Sequence, residues 1–98
     1  MFAITRDHLA DEKAPAGTNA NAVGVIGPRT ANLSFDEIAS HFRGKQFRMK
    51  DDDGELLYEG IYLPSSGSDE FEPLDCFGAP NAGCTGIEYL KDGKWETL

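Results

Sequence analysis

The chain has 98 residues, is 40% hydrophobic and carries a formal net charge of −8. That length makes one domain, residues 1–98, with a single modest core that needs no staples. No apolar run is long enough to cross a bilayer and the first residues lack a signal-peptide core, while the acidic balance argues against binding the nucleic-acid backbone or an anionic membrane.

"MFAIT" reads as a first strand. Asp11 to Asn21 is rich in Ala, Gly, Asn and Pro without a period, and reads as a surface loop. "AVGVIGP" suits a short strand that Pro28 ends.

"LSFDEIASHFRG" carries the clearest local signal. Ser34 and Glu37 make a capping box, and Leu33 and Ile38 a hydrophobic staple. Phe35, Ile38, Ala39 and Phe42 fall at i, i+3, i+4 and i+7, one apolar stripe of a short helix. Asp36 and Glu37 suit its positive end, Arg43 suits its negative end, and Gly44 serves as a left-handed stop.

"KQFRMKDDDGELLYEGIYL" reads as a hairpin. A four-residue loop, Asp51 to Gly54, sets Lys50 against Glu55 and places Phe47, Met49, Leu56 and Tyr58 on the face that meets the helix. A three-residue loop would bring Glu59 onto that face, so the first register is preferred. Gly60 is a candidate bulge. "PSSGSDE" is a polar loop, and "EFEPLDCFGAPNAGC" reads as irregular, because Pro73 and Pro80 block a long strand.

"TGIEYL" and "KWETL" form a second hairpin around Asp92 and Gly93. A three-residue loop, Lys91 to Gly93, pairs Tyr89 with Trp95. It is preferred over a two-residue loop, which would oppose Lys91 and Lys94.

The expected fold is α+β: a mostly antiparallel sheet of four to six strands with one short helix packed on one face. The expected core is Phe2, Ile4, Val25, Phe35, Ile38, Phe42, Phe47, Met49, Leu56, Tyr58, Ile87, Tyr89 and Trp95.

Charge divides the chain. Residues 1–50 carry seven Lys or Arg against five Asp or Glu, and residues 51–98 carry two against twelve. An acidic half suits solubility, a basic protein partner, or mimicry of nucleic acid toward such a partner.

The cysteines offer little local chemistry. Cys76 and Cys84 are too far apart for a redox pair and too loosely spaced for a zinc clip, with only His8 and His41 to complete it. They read as small buried thiols, reduced in a cytoplasmic setting. A reactive site could be written from Cys76 or Cys84 with His41 and Asp75, yet no signature motif supports it.

"KDDDGE" lacks the outer ligands of a calcium loop and reads as an acidic turn. No phosphate-loop pattern is present. No cofactor or metal is expected, and no catalytic residue can be named.

The remaining candidate is a surface. Asp69, Glu70, Glu72 and Asp75 flank Phe71, Leu74 and Phe77, with Asn81 beyond. Two arrangements are open. The aromatics present a binding epitope, as loops on rigid scaffolds do, or they plug the core while the acids face water.

"TNANAVGVIGPR", "FRMKDDDGELLYEG" and "FEPLDCFGAPNAGCTGIEYLKDGKWETL" together resemble short acidic proteins of unassigned activity carried on bacterial plasmids, phages and other mobile elements. The resemblance covers most of the chain, apart from the opening residues and the helix region. It implies a bacterial cytoplasmic protein and brings no reaction with it.

Two functions are therefore carried forward. One is a non-enzymatic interaction or regulatory module, monomer or homodimer, whose acidic surface meets a basic partner or mimics nucleic acid. The other is a small enzyme or ligand-binding domain with its site at the Cys76–Cys84 loop.

Overall fold

Alternation of apolar and polar residues lets a strand bury one side and wet the other, and "KQFRMK" does this cleanly. Phe47 and Met49 are buried, while Arg48 and Lys50 are turned the other way. The computed structural model of the chain describes residues 1–9, 22–28, 31–65 and 67–98. The predicted loop at Asp11–Asn21 lies outside the described residues.

The strands are β1 (Phe2–Asp7), β2 (Ile26–Gly27), β3 (Lys45–Lys50), β4 (Leu56–Tyr62), β5 (Gly86–Lys91) and β6 (Lys94–Thr97). They form one antiparallel sheet in the order β2-β1-β4-β3-β5-β6. The α+β class and the strand number agree with expectation.

Two bulges set the faces. In β1 the register slips between Ile4 and Arg6, so Thr5 is the extra residue. Ile4 and Asp7 thereby face the same side. The Asp7 carboxylate, 5% exposed, accepts from the Leu9 N–H at 3.0 Å and the Ala22 N–H at 2.9 Å.

In the β3–β4 hairpin Met49 pairs with Tyr58 and Lys50 with Leu56, so Leu57 is the extra residue. The expected register, with Met49 opposite Leu56, is corrected by two positions. Phe47, Met49 and Tyr58 keep their shared face, and Leu57 joins the core in place of the half-buried Leu56. Gly60 sits where the Phe47 ring crosses β4. A Cβ there would lie 2.6 Å from Phe47 Cζ and 2.2 Å from the Ala3 carbonyl.

The β5–β6 hairpin is also corrected. Leu90 pairs with Trp95 and Lys91 with Lys94, around a two-residue turn. Asp92 (φ 51°) and Gly93 (φ 79°) are both left-handed. Asp-Gly in that turn matches the strand twist, and this outweighs the like charges of two exposed lysines.

The main core lies on one face: Phe2, Ile4, Phe47, Met49, Leu57, Tyr58, Tyr62, Leu74, Cys84, Ile87 and Tyr89. Its rings meet edge-on or tilted, Phe2 with Phe47 at 6.3 Å and Tyr62 with Tyr89 at 6.0 Å. Its cover is the segment expected to be irregular. A π-helical turn (Leu74–Gly78) runs into a short helix, α2 (Ala79–Ala82). Pro73 stands just before this segment. Pro80 falls in the first turn of α2, where an N–H would have no intrahelical partner. Neither proline blocks the helical path.

Helix α1 (Phe35–Ala39) lies on the opposite face, not over Phe47 and Met49. Ile38 packs there with Met1, Ala3 and Leu63, and Leu33 and Phe35 pack alongside. The capping box is as read: the Ser34 hydroxyl accepts from the Glu37 N–H at 3.2 Å, and the Glu37 carboxylate accepts from the Ser34 N–H at 3.0 Å.

The helix stops a turn early. The Ser40 hydroxyl bonds the Asp36 carbonyl at 2.6 Å, and hydroxyls that do this compete with helix continuation. Phe42, expected in the stripe, is 90% exposed. Gly44 is not left-handed. It is small because a Cβ would lie 2.5 Å from Ile61 Cγ2. Val25 is likewise exposed and Trp95 only half-buried.

Candidate interaction site at the segment after β4

The sheet has two ends, and the acids gather at both. Asp51 to Glu55 turn the β3–β4 hairpin at one end. One Asp51 oxygen accepts from the N–H of Asp53 and of Glu55, both at 2.9 Å, and Gly54 is left-handed at φ 79°. This oxygen is spent on the turn. Asp69 to Glu72 lie at the other end, after β4.

Ser68 holds that end. Its hydroxyl meets Tyr62 Oη at 2.6 Å and the Ser65 carbonyl at 2.9 Å. Asp69 then caps the next turn, accepting from the Phe71 N–H at 2.9 Å, while the Glu72 N–H donates to the Asp69 carbonyl at 3.0 Å. The Tyr89 hydroxyl rises from β5 and donates to the Glu70 carbonyl at 2.8 Å. Burial, and then the Glu70 carboxylate, push the Tyr89 phenol far up, so it stays a donor.

Two acids are answered by cations. Lys45 Nζ lies 3.5 Å from Glu70 Oε2, and the Met1 amine 3.0 Å from Glu72 Oε1. Neither oxygen makes a well-directed hydrogen bond, so both contacts are Coulombic. Asp69 and Asp75 remain exposed, and among the described residues no cation is within ion-pair distance of either.

The segment is thus tied to β5 through the Glu70 carbonyl, to β4 through the Ser68 hydroxyl and to β3 through the Lys45–Glu70 ion pair. Its aromatics divide between the two arrangements left open by the sequence. Phe71 is 42% exposed. Leu74 and Phe77 turn inward, and the Phe77 ring meets Tyr58 at 5.0 Å and Phe2 at 6.5 Å. Asn81 is exposed, and its side-chain amide donates to the Phe77 carbonyl at 2.9 Å. Asp69, Glu70, Phe71, Glu72 and Asp75 therefore share one end of the molecule. Phe77 is withdrawn beneath them, and Asn81 belongs to the helical cover.

The cysteine set does not assemble. Cys84 is buried and Cys76 exposed, both as free thiols. Burial, and then the Asp51 carboxylate, push the Cys84 thiol up to about 11. Burial, followed by Glu72, Asp75 and Asp69, also raises Cys76. Both shifts disfavour the thiolate, the reactive form. His41 follows α1 on the opposite face of the sheet. It stacks on Phe42 at 5.0 Å, and its Nδ1 accepts from the Arg43 N–H at 3.1 Å. Among the described residues, no three His, Cys, Asp or Glu side chains are grouped to hold a metal.

One cluster escaped the sequence. On the sheet face away from the main core, the Arg48 guanidinium lies 4.2 Å from the Trp95 ring centroid. Glu88 accepts from Arg48, with Lys50 Nζ 3.4 Å away. The Arg48 hydrogen bond lowers the Glu88 pKa despite partial burial. Nearby, His8 Nε2 meets Glu59 Oε2 at 2.7 Å. The clue was the period-2 offset that sets Arg48 and Lys50 opposite to Phe47 and Met49.

No family model, curated protein or solved structure matches the chain. Among the described residues, no helix is long and apolar enough to cross a membrane.

Proposed function

We propose that the protein is a non-enzymatic interaction module whose recognition surface is the acidic segment Asp69–Asp75, with Phe71 as its anchor. The observation that carries this reading is Phe71: a large ring, 42% exposed, on a backbone tied down by Tyr89, Asp69 and Ser68. Ordering such a segment costs little on binding, because the folded sheet already holds it.

Exposed Asp69 and Asp75 flank the ring, and among the described residues no cation pairs with either. A partner that brings Lys or Arg beside an apolar socket would complete both. In keeping with the mobile-element resemblance, that partner is a basic bacterial protein. Mimicry of nucleic acid would need one partner to span both acidic ends of the sheet, so the local form of the reading is preferred.

The test compares wild type with Phe71→Ala and with Asp69→Asn/Asp75→Asn, each immobilised and exposed to bacterial lysate at low and high salt. A basic protein held by wild type at low salt, released at high salt, and bound about tenfold more weakly by Phe71→Ala is the expected result. Equal retention by all three proteins overturns the assignment.

A further inference from the structure

We infer that β6 is a self-complementary docking edge, and that two copies of this chain join through it as an antiparallel pair with Trp95 opposite the partner's Trp95. The strand order leaves β6 at one margin of the sheet and β2 at the other. The β2 margin is only Ile26–Gly27, closed by Pro28. Proline and brevity blunt an edge. β6 carries no proline over Lys94–Thr97 and is twice the length of β2.

The free backbone groups of β6 can be assigned. Lys91 and Lys94 flank the two-residue turn and exchange bonds with each other. Leu98 donates to the Ile87 carbonyl at 3.0 Å. In an antiparallel ladder the direction alternates, so Lys94, Glu96 and Leu98 bond inward to β5. Trp95 and Thr97 therefore turn their N–H and C=O outward, and the Gly93 C=O also points outward because the Lys94 N–H next to it points inward.

A second copy can use those groups only in registers that match outward residues with outward residues. Charge selects among them. Centring the twofold axis on Lys94 opposes two lysines, and centring it on Glu96 opposes two glutamates. Centring it on Trp95 sets Lys94 against the partner's Glu96 and Glu96 against the partner's Lys94. Trp95 then bonds the partner's Trp95, and Gly93 bonds the partner's Thr97. One patch satisfies itself, as a twofold interface requires.

The pairing also answers two features of the single chain. Lys94 lies directly across from Lys91, a like-charge opposition that the partner's Glu96 would relieve. Among the described residues, Lys91, Lys94 and Glu96 make no ion pair within the chain. Arg48 braces each Trp95 ring from the same side, so both indoles are presented rigidly. With strands this short the interface is small, and the association belongs to the weak class that forms at micromolar concentration and above.

The test is sedimentation velocity of the full chain from micromolar to millimolar concentration. Wild type is expected to dimerise in that range. Lys94→Glu and Glu96→Lys should each weaken the dimer about tenfold or more, and the double exchange should restore it. The two single variants mixed together should associate with each other, since each facing pair is then opposite in sign. Thr97→Pro removes an outward N–H that β5 does not use, so it should abolish the dimer while circular dichroism and melting of the monomer persist. Wild type that stays monomeric at millimolar concentration overturns the inference. So does a dimer indifferent to Lys94→Glu and Thr97→Pro, or a mixture of single variants that associates no better than either alone.

Discussion

Two short helical segments close the two faces of one sheet. Helix α1 covers a small cluster around Ile38, Met1, Ala3 and Leu63. The 74–82 segment covers the larger core, with Leu74 and Phe77 set among Phe2, Tyr58 and Tyr89. The small cluster has the stronger local code: a capping box, a staple and an apolar stripe. The large core is covered by a segment with Pro73 just before it, Pro80 inside it and a widened turn. Local helix signals and burial are thus separate quantities. Caps stabilise an end by about 1 kcal/mol, whereas each large apolar side chain buried contributes about 1.5–3 kcal/mol. The segment with more to bury is held by packing, whatever its propensity.

The comparison can be broken first at its heavier side. Phe47→Ala should cost about 3–5 kcal/mol, because Phe47 is 1% exposed and touches the rings of both Phe2 and Tyr89. A urea midpoint shift reads it. A loss near 1 kcal/mol would show that the faces do not differ as described.

The next pair uses Cys84 as a reporter. Leu74→Ala should cost about 2–4 kcal/mol and Ile38→Ala about 2–3 kcal/mol. Only Leu74→Ala should speed alkylation of Cys84, which lies under the 74–82 cover with its thiol near 11. Mass spectrometry after iodoacetamide treatment follows it. Equal acceleration by both variants would mean that the two covers open together.

Smaller effects sharpen the contrast. Ser34→Ala should cost about 1 kcal/mol through the lost cap, and Phe42→Ala should stay within about 0.5 kcal/mol because the ring is in solvent. A Phe42 effect as large as that of Ile38 would place the ring in a core.

Glu88 gives the pH dependence. Its folded pKa lies below the unfolded one. Its contribution is therefore present above the unfolded value and is lost as pH falls through the folded value. Stability measured between about pH 5 and pH 3 should fall less steeply in Glu88→Gln than in wild type. Identical acid limbs would remove the Arg48–Glu88 pair from the stability account.

The strands were legible because alternation is a local pattern. "KQFRMK" and "GIEYL" each state which side is buried, whereas Phe2, Ala3 and Ile4 of β1 are buried on both sides of the sheet. The N-terminus of α1 was legible because the capping box needs only residues 34 to 37. Its C-terminus was not, since Phe42 continues the periodic stripe, while the Ser40 bond to the Asp36 carbonyl and the approach of Gly44 to Ile61 on β4 turn the chain away.

The helical path of 74–82 was hidden for the same reason. Its warrant is the fit of Gly78 against Met49, where a Cβ would lie 2.5 Å from the sulfur, a contact between distant parts of the chain. Phe71 and Phe77 look alike in sequence. Which of them faces solvent is decided by Tyr58 and Phe2. Both hairpin registers turned on turn chemistry and a bulge, which charge pairing alone does not rank.

The buried carboxylate of Asp7 has a consequence of another kind. It accepts from the N–H of Leu9 and from the N–H of Ala22, so one side chain joins the end of the first described stretch to the start of the second. Asp7→Ala would release both N–H groups at once, so a single substitution breaks two tethers.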